Sequence, residues 1–216
     1  MDEGVRYTFD DIVVNGLHAL PVAAGAEYFL GEKVLVRRSG ARAYSPAHLQ
    51  RALDGLQNEL RRRGYADATV EASAVRIDDK NGRVDVDVNV NEGQRWTVAS
   101  LRLDGVTDEK EQAALRVFVG QPWSRFWQQD VVSAIREYFY QKGRPDLSVR
   151  LDHDVGEAQN GSRPVTVVAH VDPGAEVRVG KVRFEGAGRT SESVLRRRVR
   201  NEPGQLLNVV AMDQAR

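Results

Sequence analysis

The sequence predicts an α+β chain of tandem domains. Each runs strand-helix-helix-strand-strand, with two helices packed on one face of a three-stranded mixed sheet. The first observation behind this is a repeat. Val90 to Val106 reads VNEGQRWTVASLRLDGV, and Val171 to Ala187 reads VDPGAEVRVGKVRFEGA. Val90, Gly93 and Val98 match Val171, Gly174 and Val179, and Leu101-Arg102-Leu103-Asp104-Gly105 matches Val182-Arg183-Phe184-Glu185-Gly186, all at an offset of 81 residues. Self-similarity at a fixed period marks an array of small domains. The second observation is alternation. Val84, Val86, Val88 and Val90 alternate with Asp85, Asp87 and Asn89, the pattern of a sheet with one dry face and one wet face. The third is the helical stripe Leu49, Leu53, Leu56 and Leu60, which supplies a cover for that dry face.

The middle unit, residues 94–174, is the clearest. Val98 to Leu103 alternates as a strand closed by Asp104-Gly105. Thr107 and Asp108 cap a first helix from about Asp108 to Val117. After the loop Gly120-Gln121-Pro122-Trp123-Ser124, a second helix runs from about Phe126 to Lys142, with Val131, Ile135, Tyr138 and Phe139 on one face. Gly143 ends it, with Pro145 just behind. Leu147, Val149 and Leu151 alternate with Ser148, Arg150 and Asp152 as a strand; Asn160-Gly161 turns the chain, and Val165, Val167, Ala169 and Val171 return it.

The first unit, residues 1–93, repeats this order. Ile12 to Gly16 reads as its first strand, and the stretch from Leu17 to Ser39 as an insertion in which Lys33 to Arg37 form an extra strand. Ser45-Pro46 opens a helix that runs to about Arg63 and stops at Gly64-Tyr65. Val70 to Ile77 and Val84 to Val90 make a hairpin around Asn81-Gly82. Residues 175–216 read as the start of a third unit, with a strand from Val179 to Glu185, a helix from Ser191 to Arg200 and the loop Gly204-Gln205-Leu206-Leu207-Asn208. A second helix begins in VVAMDQAR, so the chain reads as an excised part of a longer protein.

Composition bounds the function. The chain has 216 residues, 41% of them hydrophobic, and 31 basic residues balance 31 acidic ones. That suits two or three small cores and lacks the basic excess of a nucleic-acid binder. With no cysteine there are no disulfides or thiolate metal sites. No apolar run is long enough to span a bilayer as a helix.

Units of this order, with a Val-x-[Glu/Pro]-Gly junction at Val90 to Gly93 and Val171 to Gly174 and a first strand ending in [Asp/Glu]-Gly, resemble POTRA (polypeptide-transport-associated) domains. The helix-ending Gly64-Tyr65 and the loop Gly120 to Ser124 fit the same pattern. The resemblance covers nearly the whole chain and rests on sparse positions recurring in register. It implies the periplasmic arm of a BamA/TamA-like outer-membrane barrel protein from a Gram-negative bacterium, followed by a C-terminal barrel outside this sequence. It implies docking of unfolded outer-membrane proteins or accessory lipoproteins, without catalysis, cofactor, metal or nucleic acid. The alternative within the family is the arm of a secretion pore handling exported substrates.

A three-stranded sheet has two edges, and an extended peptide pairs with an edge as an added strand. The resemblance places the first strand of each late hairpin at an edge. Val70, Ala72, Ala74 and Arg76 in the first unit, and Val149, Arg150, Leu151 and Asp152 in the second, are therefore the candidate docking residues. The plainer reading is that these edges face solvent, protected from aggregation by Glu71, Arg76, Arg150 and Asp152.

Sharper readings fare worse. Gly186 to Ser191 sits where a phosphate loop would lie, but it lacks the third glycine of the dinucleotide pattern and any Gly-Lys-Ser/Thr. KH-like RNA-binding tandems, the reading from a different class, need a Gly-x-x-Gly loop between the helices. The loops at Gly40, Gly120 and Gly204 all lack the second glycine. Arg61-Arg62-Arg63 and Arg196-Arg197-Arg198 lie near helix C-termini, where the helix dipole favours cations. His18, His48, His153 and His170 have no metal-helix spacing; strand alternation puts His153 on the apolar side and His170 on the wet side. Trp96, Trp123 and Trp127 fall near the unit junction, where packing is the plain role and Trp96 is expected to be partly buried.

Overall fold

The computed structural model describes residues 6–30, 43–106, 112–113, 115–186, 191–199 and 201–214. The chain divides into two compact units. One comprises Met1–Thr97 with Pro122–Arg125 and Glu157–Pro164; the other comprises Val98–Gln121, Phe126–Gly156 and Val165–Arg216.

The first unit contains β1 (Thr8–Asn15), α1 (Val22–Leu30), α2 (Pro46–Arg62), β2 (Thr69–Asp78) and β3 (Arg83–Asn91). Its sheet has the order β1-β3-β2, with β1 parallel and β2 antiparallel to the central β3. The alternation of β3 decides the layering. Val84, Val86, Val88 and Val90 are all buried, and so are Leu49, Leu53, Leu56 and Leu60 on α2, as the two periodicities predict. Helix α2 starts where the sequence puts it, because the Ser45 hydroxyl accepts the His48 N–H at 3.1 Å and Pro46 occupies the first turn. The hairpin closes through Asp78, whose carboxylate accepts the Lys80 N–H at 2.9 Å and the Asn81 side-chain amide at 2.7 Å. Those bonds, the Asn81 side chain foremost, hold Asp78 below the usual carboxylate range.

Part of the stretch read as an insertion has a regular place in the fold. Residues Val22–Leu30 form α1, which buries Gly25 and Phe29. Phe29 meets Phe9 of β1 edge-on, with ring centroids 6.3 Å apart. Four of its nine residues are alanine or glycine and its stripe is short, which hides the helical period. The expected strand at Lys33 to Arg37 lies outside the described residues.

The second sheet joins β4 (Arg95–Asp104), β5 (Ser148–Val155) and β6 (Ser162–Asp172) in the order β4-β6-β5. Helix α3 (Arg125–Gln141) buries Trp127, Val131, Ile135 and Phe139. Val165, Val167, Ala169 and Val171 on β6 are buried too, while Tyr138 is half-buried. The Trp127 indole N–H donates to the Phe118 carbonyl at 2.9 Å. The cap expected at Thr107 and Asp108 lies outside the described residues; the end of that expected helix, Arg116–Phe118, is a 3-10 turn.

Beyond β6, α4 (Glu192–Val199) and α5 (Val209–Gln214) occupy the positions expected of two helices. The strand expected from Val179 to Glu185 does not form; its neighbourhood shows one bridge, Arg178 to Leu206. A strand exists only through a ladder partner. The counterpart of this segment in the first sheet, β1, pairs with the return strand of a later hairpin; among the described residues after 186 there is no strand.

Candidate functional site

Strands β2 and β5, the first strands of the two hairpins, each lie at an edge of their sheet, with β1 and β4 at the opposite edges; among the described residues neither β2 nor β5 has a strand on its outer side. Each has a neighbour on one side only, so part of its backbone N–H and C=O groups point away from the sheet.

Strand β2 does not keep one phase. Thr69 to Ala72 pair with Asn91 to Val88, and Ala74 to Asp78 pair with Asp87 to Arg83, leaving Ser73 as a bulge. Its hydroxyl donates to the Asp87 carbonyl at 3.2 Å. Val70 and Ala72 therefore face the helices, and so do Val75 and Ile77, opposite the buried Val86 and Val84. Ala74 and Arg76 turn to the wet face. Of the four edge residues named from sequence, the structure thus places two on each face. The bulge had a readable signal: Val75-Arg76-Ile77 is out of step with Val70-Glu71-Ala72. Cover fades along the strand. Near its start, the Gln57 side-chain amide on α2 donates to the Ala68 carbonyl at 2.7 Å and Val70 is 7% exposed, whereas Val75 and Ile77 are 39% and 50% exposed. The edge of β2 thus carries an uncovered apolar step beside its free backbone.

On the wet face Arg76 grips Asp87 with two hydrogen bonds, at 2.6 and 2.8 Å. Those bonds lower the Asp87 carboxyl below its usual range and raise the guanidinium.

Strand β5 pairs residue for residue with β6, from Ser148 with Asp172 to Val155 with Val165. Val149 and Leu151 face the helices and are half-buried; Arg150 and Asp152 face water and are exposed. His153 lies on the apolar side, opposite Val167, as alternation predicts, yet it is exposed. His170 lies on the wet side. There its ring nitrogens stand 3.0 Å from Asp104 of β4 and 3.1 Å from Asp152 of β5, so one side chain ties all three strands. Sequence reasoning missed this bridge, because it depends on a register between segments 66 and 18 residues apart.

Among the described residues no helix is long and apolar enough to cross a membrane, and no cluster of three or more His, Asp or Glu is arranged to hold a metal ion.

Residues 7–93 match the POTRA family model, described as surface antigen variable number repeat. The chain is 21% identical over 154 residues to the outer membrane protein assembly factor BamA of Neisseria meningitidis, a match covering 70% of this chain and 19% of that protein. It is also 21% identical over 169 residues to the BamA of Buchnera aphidicola, covering 76% of this chain and 27% of that one. The chain therefore spans only a minor part of the curated relatives it matches. The crystal structure of Haemophilus influenzae BamA POTRA3-5 superimposes with a TM-score of 0.58 at 21% identity, over 97% of this chain and 83% of that one. That likeness establishes the fold: tandem α+β units, each a three-stranded mixed sheet with helices on one face.

Proposed function

We propose, from the match of residues 7–93 to the POTRA family model and the like fold repeated after them, that this chain forms part of the periplasmic arm of an outer-membrane barrel protein. In this reading the arm docks unfolded outer-membrane protein clients or partner subunits and holds them extended for insertion or translocation. Its role is binding rather than catalysis.

The observation that carries this reading is the edge position of β2 and β5. An extended segment gains main-chain hydrogen bonds at such an edge whatever its sequence, and side-chain contacts at every second residue. That suits a receptor for many clients. Transmembrane barrel strands alternate apolar and polar residues over about ten positions. Laid along β2, such a segment would set its apolar side chains beside Val75 and Ile77.

The test is titration of isotope-labelled protein with a synthetic peptide of that pattern, followed by backbone NMR. Docking by strand addition predicts that the amides of β2 and β5 shift most. Shifts confined to α2 and α3, or none at saturating peptide, would reject it.

A further inference from the structure

The second unit holds a cavity of about 290 Å³. Leu103 of β4, Leu115, Val117 and Phe118 around the 3-10 turn, and Ala134 and Tyr138 of α3 are among its lining residues. Every side chain in that lining is aliphatic or aromatic, and the Tyr138 hydroxyl is its one polar group. Protein interiors leave few voids larger than a water molecule. This one is roughly twice the size of an apolar cavity of about 150 Å³ that takes up benzene. It reaches the surface at Val117, which lines it and is 67% exposed.

The first unit fills the end of its first helix differently. Phe29 near the end of α1 is fully buried and meets Phe9 edge-on. In the second unit Phe118 ends the corresponding stretch and is only half-buried. Its backbone is held in place, since the Trp127 indole N–H donates to its carbonyl and the two rings meet edge-on, 6.3 Å apart. The cavity is therefore walled by packed elements.

A cation stands beside it. The exposed Lys142 ammonium donates to the Tyr138 hydroxyl at 2.5 Å and lies 4.3 Å from the centroid of that ring. The apolar lining favours hydrocarbon and disfavours any charge taken inside. The ammonium favours an anion just outside. We infer that this cavity binds a single-chain amphipathic anion, with an alkyl chain of about eight to twelve carbons inside and its carboxylate at Lys142. An acyl chain of a lipid carries the same chemistry, but one chain fills the cavity, so the free single-chain form is the occupant. The site is separate from the sheet edges and stands or falls independently of strand addition.

Titration of isotope-labelled protein with hexanoate, octanoate and decanoate, each below its micelle concentration, tests it by backbone NMR. The amides of Ala134, Ile135 and Phe118 should shift, and each added pair of methylenes should tighten binding about tenfold. Decanol should bind more weakly than decanoate. Lys142→Met should weaken decanoate about threefold and leave decanol unchanged. Ala134→Leu fills the cavity and should abolish binding, with unshifted Val167 and Ala169 amides showing that the fold is kept. Val117→Asp, a change at an exposed position, should do the same by placing a negative charge at the opening. Affinity that does not grow with chain length, decanol binding as tightly as decanoate, or binding that survives both Ala134→Leu and Val117→Asp would overturn the inference. So would shifts at these amides with phosphatidylglycerol vesicles and none with the free carboxylates, which would assign the site to a lipid surface.

Discussion

Strand β2 meets β3 with one residue to spare, whereas β5 meets β6 residue for residue. The same fold therefore offers two unlike edges. The bulge at Ser73 turns Val75 and Ile77 toward the helix side, where they remain 39% and 50% exposed. On β5 the corresponding stretch carries His153, and the water side is charged, with Arg150 3.3 Å from Asp152. One edge is apolar along its outer half and the other is polar. The layer beneath is alike in both: a central strand of alternating valines under a helix stripe. The edges thus diverge while the cores beneath them stay alike.

The largest effects should appear where the units are alike. Val86 on β3 and Val167 on β6 are both fully buried. Val86→Asp and Val167→Asp each bury an unpaired charge and should cost roughly 3–5 kcal/mol. Thermal unfolding should show early melting in both variants. A Val86→Asp protein that melts with the wild type would break the comparison at its base.

Deletions probe the difference itself. Removing Ser73 leaves every other pair of the β2–β3 ladder facing as before, so its cost should stay within about 1 kcal/mol. Removing Arg150 forces one part of β5 to slip by a residue and turns its apolar side chains to water, at roughly 2–3 kcal/mol. Denaturant midpoints of the two deletion variants measure this directly. Equal costs would mean that the bulge does not set the phase of β2.

A smaller contrast concerns acid. The Asp87 carboxyl is lowered in the folded state, chiefly by its hydrogen bonds from Arg76. A lowered folded value means that the pair stabilises fully above the unfolded carboxyl value of about 3.9 and that this support is lost as the pH falls through the folded value. Asp87→Asn should therefore flatten the acid side of the first unit's stability curve below about pH 4 and leave the slope near pH 7 unchanged. Melting temperature followed against pH checks both halves of that statement.

These contrasts also mark what the sequence makes legible. The layering was readable because burial on β3, β6, α2 and α3 follows a strict period, two or 3.6. Both hairpins and both helix-closing glycines were readable from local turn chemistry. Helix α1 was not, because its small residues carry little periodic signal. The face of Val75 follows from the phase break visible at Val75 and Ile77, but only the pairing around Ser73 shows where the extra residue sits. The Asp104–His170–Asp152 bridge could not be read, since only a known register brings three such distant residues together. The strand expected at Val179 to Glu185 shows the reverse case: alternation is present, but among the described residues no ladder partner is.

Strand addition, as proposed, requires the edges to bind through their backbones. Arg150 is the natural probe, since its side chain already faces water. Binding of an unfolded barrel-strand peptide is measured for the wild type, Arg150→Ala and Arg150→Pro, with exchange protection at Val167 and Ala169 confirming that each variant stays folded. Alanine keeps the N–H and proline removes it. Strand addition predicts near-normal affinity at the β5 edge for Arg150→Ala and a loss of about tenfold or more for Arg150→Pro. Equal loss in the two variants would contradict it and would assign recognition to the Arg150 side chain.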